Sequence, residues 1–148
     1  MILRALVASI LALASGAAVA PSADATGAPT LRVAGSRYGP ILVDRRGLTL
    51  YLFTRETGPA SRCSGACARA WPPAPAGGRP RAGHGIRRSL IGTIRRRDGG
   101  RQLTYAGHPL YRYAPETRAG QILCQNVTEY GGVWLVVDPD GTPNRSPR

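Results

Sequence analysis

Residues 50–57 read LYLFTRET, and residues 110–117 read LYRYAPET, 60 positions further along the chain. Other residues recur around these octets in one order: a glycine ahead of each Leu-Tyr pair, then a cysteine and a tryptophan behind it. The recurring pairs are Gly47 and Gly107, Cys63 and Cys124, and Trp71 and Trp134. Because unlike residue types keep the same order twice, the chain is predicted to hold two copies of one structural unit.

The local patterns favour strands and turns. The chain has 19 glycines and 13 prolines, and long helical periodicity is missing. Residues 48–54 alternate, with leucines on one face and Thr49, Tyr51 and Phe53 on the other, so both faces are expected to be buried. Residues 63–71 predict a short helix that ends at Pro72-Pro73. We predict a mainly β fold, with duplicated antiparallel β-hairpin or meander units forming one small sandwich- or barrel-like domain and a short helix after the first repeat.

The first 25 residues are typical of an export signal. Arg4 precedes an apolar run, and Ala23-Asp24-Ala25 is a suitable cleavage site. The apolar run is short for a membrane anchor, and no later stretch is apolar enough to span a bilayer. We therefore predict a signal peptide at 1–25 and a single mature domain at 26–148. Within the mature domain we expect repeat one at about 31–73, a Pro/Gly connector at 74–85, repeat two at about 88–141 and a tail at 142–148.

The charge balance predicts attraction to anionic surfaces. Twenty basic residues, all arginine, stand against 8 acidic ones, giving a net charge of +12. The densest run predicts a polyanion-binding face made by Arg87, Arg88, Arg95, Arg96 and Arg97. No aromatic residues alternate with these arginines as stacking platforms for bases, so specific nucleic-acid binding is not expected.

Several motifs in order resemble a bacterial family known as the secreted repeat of unknown function, predicted lipoproteins with a Tyr-x-aromatic-x-x-Asp motif. The motif is present twice, and Cys63-x-x-x-Cys67 before Trp71-Pro72-Pro73 and the Gly131-Gly132-x-Trp134 segment also fit. The resemblance covers residues 35–141 and implies export, a duplicated β fold and residence in the cell envelope. Two departures are present. Both motif acids are glutamate, and no cysteine follows the apolar run to carry a lipid.

The motif residues are candidate site residues, namely Tyr51, Phe53, Glu56, Tyr111, Tyr113 and Glu116. One interpretation is structural, with aromatic pairs in the core and glutamates bonding loop amides or an arginine. A second is that the carboxylates meet near a pseudo-dyad and bind a cation or share a proton. Glycosidase chemistry also needs two carboxylates, but no sugar-binding cleft can be read from the chain.

Three cysteines in an exported chain suggest one disulfide and one remaining thiol. Cys63 and Cys67 are four residues apart, and on a helix their Cα atoms are close enough for a disulfide. We predict this pair as a structural disulfide. A Cys63–Cys124 bridge between the repeats is an open alternative, because the two cysteines match by repeat position.

Together these features predict a secreted bacterial protein that is associated with the cell envelope. We expect a monomer that is exported by means of its cleaved signal peptide. Its role is expected to be non-catalytic binding or support of anionic envelope polymers or lipid head groups, with no cofactor. The sequence lacks the Gly-x-Ser-x-Gly elbow that would indicate a hydrolase. The alternative is a metal- or haem-associated extracytoplasmic redox protein. It would use some of Cys63, Cys67, Cys124, His84, His108, Glu56 and Glu116.

Overall fold

The computed structural model describes residues 30–148, so the predicted signal peptide at 1–25 lies outside the described residues. This part of the chain forms eight strands and one α-helix, with a single 3₁₀ turn at Arg88–Leu90. In chain order the elements are β1 Leu31–Ser36, β2 Gly39–Asp44, β3 Tyr51–Phe53, α1 Ala66–Ala70, β4 Ile91–Arg95, β5 Arg101–Tyr105, β6 His108–Pro109, β7 Val127–Glu129 and β8 Gly132–Val136.

The strands form three small antiparallel sheets, with strand orders β1-β2, β3-β8-β7 and β4-β5-β6. The first and third sheets begin the two repeats as hairpins, and single bridges such as Tyr51↔Tyr111 connect the motif segments. The predicted mainly β class, the duplicated antiparallel units and the short helix after the first repeat are confirmed. No helix within residues 30–148 has both the length and the apolar character needed to cross a membrane.

The two repeats exchange their tryptophan segments. Strand β8 of repeat two pairs with β3 of repeat one, with Phe53 opposite Trp134. The segment after Trp71 in repeat one lies along the motif of repeat two, where Ala74 N donates to Leu110 O over 2.9 Å. Each motif segment therefore takes backbone partners from the other repeat, in addition to those within its own repeat.

Strand β3 is buried on both faces, as its alternation predicted. Tyr51 and Phe53 belong to an aromatic cluster that also contains both tryptophans. Leu50 and Leu52 belong to a second cluster that is mostly aliphatic. Since residues two apart on a strand share a face, this short segment joins the two halves of the core.

Two details differ from the sequence prediction. The pattern from Pro109 to Tyr113 also favours a strand, but the structure has only β6 and two isolated bridges at Tyr111, one to Tyr51 and one to Pro73. Pro73 has no N–H to continue a ladder. Strand β7 was not predicted, because only Val127 of its three residues is buried and alternation over three residues gives too little signal.

Candidate functional site

Tyr51 and Tyr111 face each other across an antiparallel bridge at the centre of the molecule. Tyr51 N donates to Tyr111 O over 2.9 Å, and Tyr111 N donates to Tyr51 O over 2.9 Å. In both copies the amide of the motif glutamate then donates to the carbonyl of the second motif aromatic at 3.0 Å. The turns ahead of the two segments also match, with φ of 81° at Gly47 and 80° at Gly107. The two motifs are therefore related by an approximate two-fold axis through this bridge.

Four aromatic rings follow one another across this axis in the order Phe53, Trp134, Trp71, Tyr113, the first three stacked and Tyr113 tilted by 39° against Trp71. The tryptophans lie at the centre, with ring centroids 4.0 Å apart and planes 4° from parallel. Phe53 stacks on Trp134 at 4.2 Å, and Tyr113 lies 4.7 Å from Trp71. The second motif aromatic of each repeat thus packs on the tryptophan of the other. Gly132 makes room for the stack, because a Cβ there would lie 2.6 Å from Phe53 Cε2.

The hydrogen bonds between the motif hydroxyls and carboxylates also run from one repeat to the other. Tyr51 Oη donates to Glu116 Oε1 over 2.5 Å, and Tyr111 Oη donates to Glu56 Oε1 over 2.7 Å. All four side chains are buried. The six predicted motif residues are therefore brought together, but each tyrosine pairs with the glutamate of the opposite motif.

Each glutamate also binds the loop that follows it. Glu56 Oε1 accepts from Arg62 N at 2.6 Å and from Cys63 N at 3.3 Å. Glu116 Oε1 accepts from Leu123 N at 2.8 Å. No hydrogen bond joins the two carboxylates to each other within residues 30–148. A motif glutamate thus connects its own loop to the tyrosine of the other repeat.

Burial controls the protonation of these groups. Desolvation raises the pKa of Glu56 and of Glu116 above the ordinary carboxyl value, although their hydrogen-bond donors act in the opposite direction. Burial and the nearby glutamate raise the pKa of Tyr111 to about 12 and raise that of Tyr51 further. The tyrosines therefore remain hydroxyl donors at neutral pH. The Oε2 atoms of both glutamates are buried without a hydrogen-bond partner, which is where a proton would reside.

The residues of the redox alternative are not assembled into a metal site. Cys63 and Cys67 form a disulfide, His84 is exposed in the connector and His108 is half-buried in β6. In the described part of the chain, no three or more His, Cys, Asp or Glu side chains lie close enough to hold a metal ion. Chemically, the motif site is a set of internal hydrogen bonds that use the tyrosine hydroxyls and the Oε1 atom of each glutamate.

The predicted disulfide is present. Cys63 and Cys67 are joined by an S–S bond of 2.01 Å, with Cα atoms 5.3 Å apart, at the start of α1. The alternative Cys63–Cys124 bridge is wrong, because Cys124 is a free, buried thiol. Burial raises the pKa of that thiol. Tyr113 is its hydrogen-bonding neighbour, and the thiol therefore lies beside the aromatic stack.

Arg96 is not a surface anchor, which corrects the prediction that grouped it with its neighbours. Its side chain is buried. Nη1 donates to Ser61 Oγ at 2.5 Å and to Gln102 Oε1 at 2.8 Å, while Nη2 donates to Cys63 O at 2.9 Å. Nε pairs with Asp98 at 3.0 Å. Arg96 holds the loop after Glu56 against repeat two and has no free donor face for a polymer.

The other predicted arginines lie at the surface. Arg87, Arg88, Arg95 and Arg97 are all exposed. Within the described residues, the guanidinium groups of Arg88, Arg95 and Arg97 make no ion pair or hydrogen bond. Three of the five predicted residues therefore have no partner among the described residues, while Arg87 lies near Asp140 and interacts with the charge of that carboxylate.

Sequence reasoning missed the polar residues that connect the motif to Arg96. Ser61 Oγ lies 2.8 Å from Tyr111 Oη, and Gln102 Nε2 donates to Leu110 O at 2.8 Å. Neither residue belongs to a repeated pattern.

The fold and site define a class of duplicated β proteins whose repeats interlock by exchanging tyrosine–glutamate bonds and tryptophan packing. A family model described as a secreted repeat of unknown function matches residues 33–75 and 92–138, one match in each copy. The chain belongs to this family, and it is a secreted, extracytoplasmic protein. Searches of curated proteins and of solved structures gave no match.

Proposed function

We propose that the protein is a non-catalytic binding module that attaches to anionic polymers or lipid head groups of the cell envelope. The observation that carries this proposal is the exposure of several arginines at the start of repeat two. Arg87, Arg88, Arg95 and Arg97 are all exposed, on a chain with a net charge of +12. Such a surface concentrates polyanions around it and strengthens as salt is lowered.

The state of the motif residues supports a non-catalytic role. Tyr51, Tyr111, Glu56 and Glu116 are buried, and their hydroxyl groups and Oε1 atoms bind one another or loop amides. A general acid or base needs to reach the proton of a substrate. These groups instead connect the repeats, which leaves the surface as the part of the molecule that meets a partner.

Binding to purified anionic surfaces tests the proposal. The secreted protein should sediment with phosphatidylglycerol vesicles or with purified anionic wall polymer at low salt, and binding should fall steeply towards physiological salt. Neutral phosphatidylcholine vesicles are the control and should bind little. If the protein binds neither anionic surface at low salt, the proposed function is wrong.

A further inference from the structure

A groove of about 730 Å³ runs between the loop after Glu56 and the β4–β5 turn. We call it the basic groove. Its exposed side chains are Arg55 and Arg62 from repeat one and Arg95 and Arg97 from repeat two, with Arg96 in its floor. The run of arginines in the sequence did not reveal this site, because Arg55 and Arg62 are far from that run along the chain.

The two walls of the basic groove are fixed to each other. Arg96 extends from the β4–β5 side and binds Cys63 O at 2.9 Å and Ser61 Oγ at 2.5 Å on the other wall. The Cys63–Cys67 disulfide closes the same loop. A site held in this way loses little conformational entropy when a ligand binds.

The positive charge in the groove is not matched by acids. Asp98 is the one acidic residue in its lining, and that carboxylate already binds Arg96 Nε at 3.0 Å. The guanidinium groups of Arg62, Arg95 and Arg97 have no partner within residues 30–148, and Arg55 donates to a neutral carbonyl, Tyr130 O, at 3.1 Å. Forked donors therefore face the groove from both sides.

We propose that the basic groove binds a linear polyanion through successive phosphate groups. This inference rests on the proposed function and assigns its polymer site. Guanidinium groups match phosphate oxygens in a two-pronged geometry, and arginines on both walls suit a chain that passes between them. A flat bilayer would touch only the outer rims of a concave site, so the shape favours a chain over a membrane surface.

The test uses inorganic polyphosphate as the chain and a charge-matched control. The groove variant is Arg62→Ser with Arg97→Ser. The control is Arg79→Ser with Arg118→Ser, which removes the same charge from exposed positions outside the groove lining. The groove variant should bind polyphosphate at least about tenfold more weakly at low salt, and its log–log salt slope should be smaller by about 2. The control should lose less than about threefold.

Each outcome separates this inference from the broader proposal. Equal losses of polyphosphate affinity in the two variants would contradict the proposed groove site but would leave the general attraction to polyanions in place. Binding of the wild-type protein to phosphatidylglycerol vesicles but not to polyphosphate would also overturn the groove, in favour of a membrane surface. Failure of the wild-type protein to bind either probe at low salt would overturn both proposals. Unchanged unfolding midpoints in both variants would show that the comparison concerns binding alone.

Discussion

The loops after Glu56 and Glu116 start from the same kind of bond but are closed in different ways. In repeat one the loop contains the Cys63–Cys67 disulfide and α1. In repeat two Gln121 Oε1 accepts from Thr117 N and Arg118 N at 2.8 Å each, and the chain continues into the β7–β8 hairpin. The base of each loop is thus set by the motif, whereas its outer part has diverged.

The arginines that reach these loops show the same contrast. Arg37 of repeat one donates to Ile122 O in the loop of repeat two at 3.1 Å, and Arg96 of repeat two donates to Cys63 O in the loop of repeat one at 2.9 Å. Arg37 is exposed and Arg96 is buried. The loop that is closed by the disulfide and held by the buried Arg96 is also the one that forms a wall of the basic groove.

The largest loss of stability should come from replacing either tryptophan of the central stack, where the two repeats are most alike. Trp71→Ala and Trp134→Ala should each lower the free energy of unfolding by about 3–5 kcal/mol, because both rings are fully buried in one stack. Urea unfolding measures this. Leu123→Ala is the control, since that side chain is 53% exposed. A large loss of stability at one tryptophan and a small loss at the other would contradict the equivalent roles of the two residues in the core.

Arg96 should contribute to the stability of the fold, whereas its neighbour Arg97 should not. Arg96→Ser should cost about 2–3 kcal/mol, because Gln102, Ser61 and Cys63 O lose a buried charged donor. Arg97→Ser, one position along the same turn, should change stability by less than about 0.5 kcal/mol. Equal costs at the two positions would contradict the buried role of Arg96.

Removing the disulfide should loosen one repeat only. Cys63→Ser with Cys67→Ser should cost about 2 kcal/mol, as expected for closing a five-residue loop. Amide hydrogen exchange should speed up at Arg62 N and Cys63 N, which bind Glu56, but not at Leu123 N, which binds Glu116. Faster exchange at Leu123 to the same degree would mean that the two loops are not independent.

The two motif glutamates should make the protein more stable in mild acid. Their folded pKa values are raised, so the folded state holds protons that the unfolded chain has released. The resulting stabilisation is complete below the ordinary value of 4.5 and is lost as pH rises through the folded pKa. We expect the free energy of unfolding, measured by urea unfolding, to rise as the pH falls from neutral towards 5. Glu56→Gln with Glu116→Gln should flatten this profile; an unchanged profile would assign it to other groups.

The duplicated motif was predicted from its repetition in the sequence. The burial of both faces of β3 and the Cys63–Cys67 disulfide were predicted from periodicity and spacing. The crosswise pairing of Tyr51 with Glu116 was not, because a repeat specifies equivalent positions and not which copy supplies the partner. The role of Arg96 was hidden for a different reason: in a run of three arginines, only tertiary packing decides which one turns inward.

A pair of double-mutant cycles tests the central claim, which is that the motif connects the repeats to each other. The first cycle combines Tyr51→Phe with Glu116→Ala, and the second combines Tyr51→Phe with Glu56→Ala. The exchanged bond predicts a coupling of about 1–2 kcal/mol in the first cycle and a coupling near zero in the second. Coupling between Tyr51 and Glu56, with none between Tyr51 and Glu116, would contradict the account.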